Sequence, residues 1–114
     1  MMRLKNDNSE QKLRGAFYTP LQLAKKIILF SGAENAKSIL EPSCGDGVFL
    51  DSLHQMGLIQ AVDDITAIEI DIDEAKKVRD KYRAHKNVHV LTEDFFEFYA
   101  QAISAPKRYD LILG

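Results

Sequence analysis

The sequence is short of cysteine, of surplus basic charge and of long apolar runs, and each shortage removes a class of protein. Cys44 is the only cysteine in 114 residues, which excludes an intrachain disulfide framework and any zinc site built on cysteine pairs. His54, His85 and His89 show no ligand spacing that would replace it, so no metal site is expected. The formal net charge is −2, which supplies no whole-domain attraction to nucleic acid. A DNA partner would have to be met largely by basic surface elsewhere. The longest apolar stretches, IILF and DLIL, fall far short of the ~18 residues that a membrane span needs, and no apolar signal block follows the N-terminus. A cytoplasmic chain with no membrane contact is therefore expected. Internal repeats, low-complexity tracts and Pro/Gly/Ser-rich linkers are missing too, which leaves a single unit.

What is present fits one globular domain: 46% of residues are hydrophobic and 28% charged. A chain of this length buries roughly two thirds of its unfolded surface, enough for one core and no second domain. The first dozen residues, MMRLKNDNSEQK, are polar and lack hydrophobic periodicity, so residues 1–12 are expected to form a flexible arm with order starting near Leu13. In TPLQLAKKIILFSG, Thr19 is a candidate N-cap and Pro20 a first helical residue. Leu23, Ala24, Ile27, Ile28 and Phe30 recur at helical spacing, and Gly32 ends the run. SILEP reads as a short buried strand, SCGDG as a tight loop and VFLDSLHQM as a helix closed by Gly57. ITAIEI is a second strand ending in acids. DEAKKVRDKYRAH is a helix capped by Asp71 or Asp73, with Ala75, Val78 and Tyr82 inward. NVHVL makes a third strand, residues 95–103 a helix and residues 109–113 a fourth strand. Strands alternating with helices predict an α/β fold, a parallel sheet covered on both faces.

Three clusters of chemistry-bearing residues fall at successive strand ends. The first is Glu41-Pro42-Ser43-Cys44-Gly45-Asp46-Gly47, where a strand turns into a helix. Gly45 and Gly47 let backbone approach a ligand beyond the strand's carboxyl end, the place where open α/β sheets bind cofactors. The pattern is neither G-x-G-x-x-G nor a phosphate-binding Walker loop, so an uncharged or zwitterionic ligand suits it better than a phosphate, and a plain tight turn is the alternative. The second is Glu69, about 20 residues beyond the loop, where a carboxylate accepts hydrogen bonds from ribose hydroxyls. Asp71, Asp73 and Glu74 serve the helix start instead, and Ala75 breaks a calcium-loop pattern. The third is Glu93-Asp94-Phe95-Phe96, where a carboxylate meets a purine amine and an aromatic face packs on the ring; a helix cap and a core phenylalanine are the alternatives. With no histidine in any recognisable nucleophile pattern, Cys44 is assigned packing and backbone contact rather than catalysis. Together the clusters outline a nucleoside-containing cofactor across the rim of the sheet.

These residues resemble the S-adenosylmethionine-dependent amino-methyltransferases, above all the adenine-N6 DNA methyltransferases of restriction-modification systems. The resemblance runs from Gly15 to Gly114 through Phe17-Tyr18-Thr19-Pro20, the loop Glu41 to Gly47, Ala67-Ile68-Glu69-Ile70-Asp71, Asp94-Phe95, and Tyr109-Asp110-Leu111-Ile112-Leu113-Gly114. It implies a three-layer Rossmann-like methyltransferase fold with a partial sheet in the order 3-2-1-4 and helices on both faces. It also implies S-adenosyl-L-methionine as cofactor, bound by Tyr18, Thr19, Glu41, Pro42, Ser43, Cys44, Gly45 and Gly47, with Thr19 and residues 41–45 at the methionine end. Glu69 would bind the ribose, Ile70 and Phe95 would flank the adenine, and Asp94 would accept from its amine.

In that family an Asn-Pro-Pro-Tyr/Phe tetrad follows the last run. Its Asn side chain and a Pro carbonyl localise the lone pair of the target amine and aim it at the methyl group, while the aromatic residue stacks on the flipped base. The tetrad would follow Gly114, so residues 13–114 are expected to be the cofactor-binding half, with no catalytic residue of their own and no methyl transfer alone. DNA would be contacted through other regions, and residues 109–113 would form an open sheet edge prone to self-association. Competing expectations are a protein-glutamine or RNA methyltransferase, a non-catalytic module that binds S-adenosylmethionine or a partner, and a nicotinamide-binding domain.

Overall fold

The computed structural model describes residues 19–42, 44–104 and 109–113. The proposed arm over 1–12, the run from Gly15 to Tyr18, Ser43 and Gly114 lie outside the described residues. Helix α1 spans Leu21–Ser31, strand β1 Ser38–Glu41, helix α2 Val48–Gln55, strand β2 Asp64–Ile68, helix α3 Ile72–Lys81, strand β3 Val88–Leu91, helix α4 Phe95–Ser104 and strand β4 Leu111–Ile112. Short 3-10 turns at Ala33–Asn35 and Ile59–Ala61 precede β1 and β2.

All four strands are parallel and lie in the order β3-β2-β1-β4, as expected. The run β1-β2-β3 steps one way along the sheet and β4 returns to the far side of β1. Right-handed crossovers therefore put α2 and α3 on one face and α4 on the other. The sheet sits inside the core because its central strands are apolar on both sides: Ile39, Ile65 and Ala67 are fully buried, and Leu40 and Ile68 nearly so. Ala24, Ile28, Leu50, Leu53, Ala75 and Val78 cover one face. Asn87 ties the segment before β2 to the start of β3, donating from Nδ2 to the carbonyls of Ile59 and Val62, each at 2.8 Å. These bonds give the Ile59 carbonyl, which also accepts from the Val62 N–H at 3.3 Å, a second donor, and they supply a donor to the Val62 carbonyl at the end of the 3-10 turn.

The start of α1 differs from expectation. Pro20 is the N-cap residue itself, with extended backbone at φ −60°, ψ 143°, and no side chain caps the helix, so Thr19 does not fill that role. A proline at the cap loses nothing, because its missing N–H had no acceptor there. Only Ala24 and Ile28 of the apolar repeat are buried; Leu23, Ile27 and Phe30 face outward. The repeat is too wide for one face of a helix that touches a single layer. At the other end of the chain β4 is short, and Ile112 is 61% exposed beside a strand paired only with β1.

Candidate functional site

Each parallel strand delivers its carboxyl end to the same rim, and hydrogen bonds beyond the regular ladder sew those ends together. Past β1, the backbone N–H of Cys44 donates to the carbonyl of Ile68 at 2.8 Å, and past β2 the N–H of Glu69 donates to the carbonyl of Leu91 at 2.9 Å. The Cys44 turn, Glu69 and the segment leading from β3 to Asp94 are therefore neighbours on one edge.

The first turn depends on its glycines. Gly45 and Gly47 have φ of +53° and +84°, the left-handed region that side chains disfavour. A Cβ at Gly47 would also stand 3.2 Å from Cγ2 of Val78, on the buried face of helix α3. The loop thus lies close against α3, and the Gly47 N–H closes it by donating to the Cys44 carbonyl at 2.8 Å. Cys44 is buried at its centre. Burial, then the nearby Glu41 and Glu69 carboxylates, push its thiol well above the usual range, so it stays a neutral packing group rather than a thiolate.

Glu69 is the keystone of the rim. Its Oε1 accepts from the backbone N–H of Gly45 at 2.8 Å and its Oε2 from the N–H of Asp71 at 2.9 Å. One carboxylate joins the β1 loop to the start of α3, and each oxygen keeps a second lone pair for a further donor. Asp71 is the cap of α3, its Oδ1 accepting from the N–H groups of Asp73 and Glu74 at 2.9 and 3.0 Å. Between these two acids, Ile70 is 65% exposed, an apolar face at the rim with no core to fill.

Asp94 serves the helix cap weighed as its alternative role, with Oδ1 accepting from the N–H of Phe96 at 2.8 Å. That bond occupies one carboxylate oxygen, and Oδ2 makes no hydrogen bond among the described residues, so a cap and a ligand contact are compatible. Phe95 is half-buried and lies in an aromatic group with Phe98, Phe96 and Tyr99, with ring centroids 6.2 to 6.4 Å apart. Pro42 is half-buried where β1 ends, and Thr19 is half-buried before α1.

Glu41 is the least expected group. It ends β1 at 2% exposure, and Oε2 has no hydrogen-bond partner among the described residues. Burial raises its carboxyl well above the ordinary value, and the neighbouring Asp46, Asp51 and Glu69 raise it further. A buried carboxyl with one oxygen unpartnered, ringed by other acids, keeps its proton unless a cation reaches it. Beneath it Asp51 is already engaged, accepting from the Tyr82 hydroxyl and pairing with Lys81 Nζ at 2.8 Å. No motif in the sequence signals the Asp51–Tyr82 link, which joins α2 to the end of α3 across 31 residues.

Among the described residues no cluster of three or more His, Cys, Asp or Glu could hold a metal, and no helix is long and apolar enough to cross a membrane. The sequence model of the N-6 DNA Methylase family matches residues 2–89. The chain belongs to this family. Among curated relatives, the type II methyltransferase M.HincII of Haemophilus influenzae is 43% identical over 67 residues, covering 59% of this chain and 12% of that protein. M.BanIII of Aneurinibacillus aneurinilyticus is 46% identical, covering 56% of this chain and 13% of its own length. The chain thus corresponds to a small part of these relatives. Among solved structures, the 23S rRNA methyltransferase ErmE superposes with a TM-score of 0.55 at 25% identity, over 69% of this chain and 30% of that one. The Rossmann-like methyltransferase fold follows from both lines.

Proposed function

We propose that the rim holds S-adenosyl-L-methionine and that the parent protein transfers its methyl group to the N6 amine of adenine in DNA. Glu41 carries this reading, because a buried carboxyl with an oxygen unpartnered among the described residues ionises most readily beside a ligand that brings positive charge. The ammonium of a methionine supplies it, whereas the pyrophosphate of a dinucleotide would be repelled by Glu41, Asp46 and Glu69 together. Thr19, Pro42, Cys44, Gly45 and Gly47 would line the methionine end. Tyr18 and Ser43 belong to the same proposal, outside the described residues. Glu69 would accept from the ribose hydroxyls with its remaining lone pairs, Ile70 and Phe95 would enclose the adenine, and Asp94 Oδ2 would accept from its amine. When bound, the sulfonium supplies an activated methyl electrophile. This chain's part is to bind and orient that donor, since Asn-Pro-Pro-Tyr/Phe occurs nowhere in its 114 residues.

The likeness to M.HincII and M.BanIII within an N-6 DNA methylase family supports DNA as the parent substrate. ErmE keeps RNA as the second reading. The test is a calorimetric titration with S-adenosylhomocysteine, run beside NAD. S-adenosylhomocysteine is expected to bind at least about 100-fold more tightly, given one buried ion pair gained on one side and like charges opposed on the other. Equal or stronger binding of NAD would transfer the site to the nicotinamide class. We also propose that a second copy can pair along the β4 edge, where Ile112 is exposed. Its signature is a sedimentation coefficient that rises with concentration and stays flat in an Ile112→Lys variant; a coefficient that does not vary in the parent chain excludes the pairing.

A further inference from the structure

We propose that Arg79 is a positioning residue for the adenine end of the site, acting through the turn that carries Asp94. The inference rests on the cofactor reading given above. Arg79 lies in the third turn of α3, the helix whose first turn begins beside Glu69. Its guanidinium reaches sideways to β3: Nε and Nη2 both donate to the carbonyl of Val90, at 3.2 and 3.0 Å, and Nη2 also donates to Thr92 Oγ1 at 2.9 Å. None of the ion pairs among the described residues includes it.

The geometry explains why an arginine stands there. Leu91 turns its carbonyl toward β2, where it accepts from Glu69, so the alternation of a strand turns the Val90 carbonyl to the open edge of the sheet. A planar fork can satisfy that carbonyl and a hydroxyl two residues further on at once, which a single ammonium cannot. The second contact is the informative one. Capping an edge carbonyl requires only Val90; gripping Thr92 fixes the first residue after β3, two before Asp94. Among the described residues, Asp94 is otherwise held only by its own helix, through the N–H of Phe96 at 2.8 Å and the N–H of Phe98, which donates to its carbonyl at 3.0 Å. Arg79 therefore ties the exit of β3 to the same helix that Glu69 ties to the exit of β2, and the spacing between ribose and adenine contacts is set by α3.

The test compares S-adenosylhomocysteine with S-inosylhomocysteine, in which the purine amine is replaced by a carbonyl that Asp94 cannot accept from. The wild-type chain is expected to prefer the adenosyl ligand by about tenfold or more, the value of one hydrogen bond to a charged acceptor. Arg79→Met should weaken the adenosyl ligand by about tenfold and the inosyl ligand by less than about threefold, so the preference collapses. Arg79→Lys should recover only part of it. Thr92→Val, which removes the hydroxyl and leaves the edge carbonyl capped, should shift the preference in the same direction and decides the matter if Arg79→Met fails to fold. A preference unchanged in these variants, or an equal loss for both ligands, would show Arg79 to be a structural edge cap and overturn the proposal. A wild-type chain that binds neither ligand overturns the cofactor reading itself, and the inference falls with it.

Discussion

Glu69→Ala is expected to weaken binding of S-adenosylhomocysteine severely and to loosen the rim at the same time. The substitution deletes both carboxylate acceptors, leaving the Gly45 and Asp71 backbone N–H groups without their partner. Each such loss costs roughly 1–3 kcal/mol, partly relieved by water because the rim is not sealed. A net loss of about 2–3 kcal/mol corresponds to a fall in melting temperature on the order of 10 °C for a domain of this size. Two lost ribose contacts to a charged acceptor weaken binding by about 100-fold or more. Glu69→Gln should fall between, since an amide oxygen can keep the Gly45 contact while its NH2 opposes the Asp71 N–H. Thermal melting and titration on the same samples check both parts. Undiminished affinity in Glu69→Ala would remove the ribose role while leaving the structural one.

Glu41→Gln is expected to move stability and affinity in opposite directions. Burial and three neighbouring acids raise the Glu41 carboxyl in the folded chain above its ordinary value of 4.5. The native state then keeps a proton that the unfolded chain has already released. Stability is therefore lost as pH rises from about 4.5 toward the raised native value, and the amide variant escapes that loss. At neutral pH Glu41→Gln should melt higher than the parent chain, a shift absent below pH 4. A ligand ammonium reverses the balance, because it favours the ionised carboxylate and so expels the proton on binding. Affinity for S-adenosylhomocysteine should rise with pH across the same window in the parent chain, and be about 10- to 100-fold weaker with a flatter pH profile in Glu41→Gln. A variant that binds as tightly as the parent, with the same pH slope, would take Glu41 out of the site.

Much of this arrangement was legible in the sequence because it is local. The spacing of Ala75, Val78 and Tyr82, and the acid at position 71 before them, specify a capped helix with one buried stripe, and all three residues are buried. Short β-branched runs stopped by Pro42 and by the acids at 69 and 71 mark where strands end, and the parallel alternation brings those ends to one rim. The sheet order came from the family resemblance, since periodicity alone does not rank strands. What stayed hidden depends on three-dimensional neighbours. The apolar repeat of α1 does not say which of its residues meet the core, and Leu23, Ile27 and Phe30 do not. Nor does position 41 in a motif reveal that one oxygen of its carboxylate lacks a partner. Arg79 sits among the lysines and acids of a charged helix face, and its tie to Val90 and Thr92 exists only once β3 lies beside α3.

Whether three strand ends form one nucleoside site is decided by amide chemical shifts followed during titration with S-adenosylhomocysteine. The amides of Cys44 to Gly47, of Glu69 to Asp71 and of Asp94 to Phe96 are expected to shift together and fit a single dissociation constant. Shifts confined to one of these segments, or segments that titrate with separate constants, would contradict a single shared site.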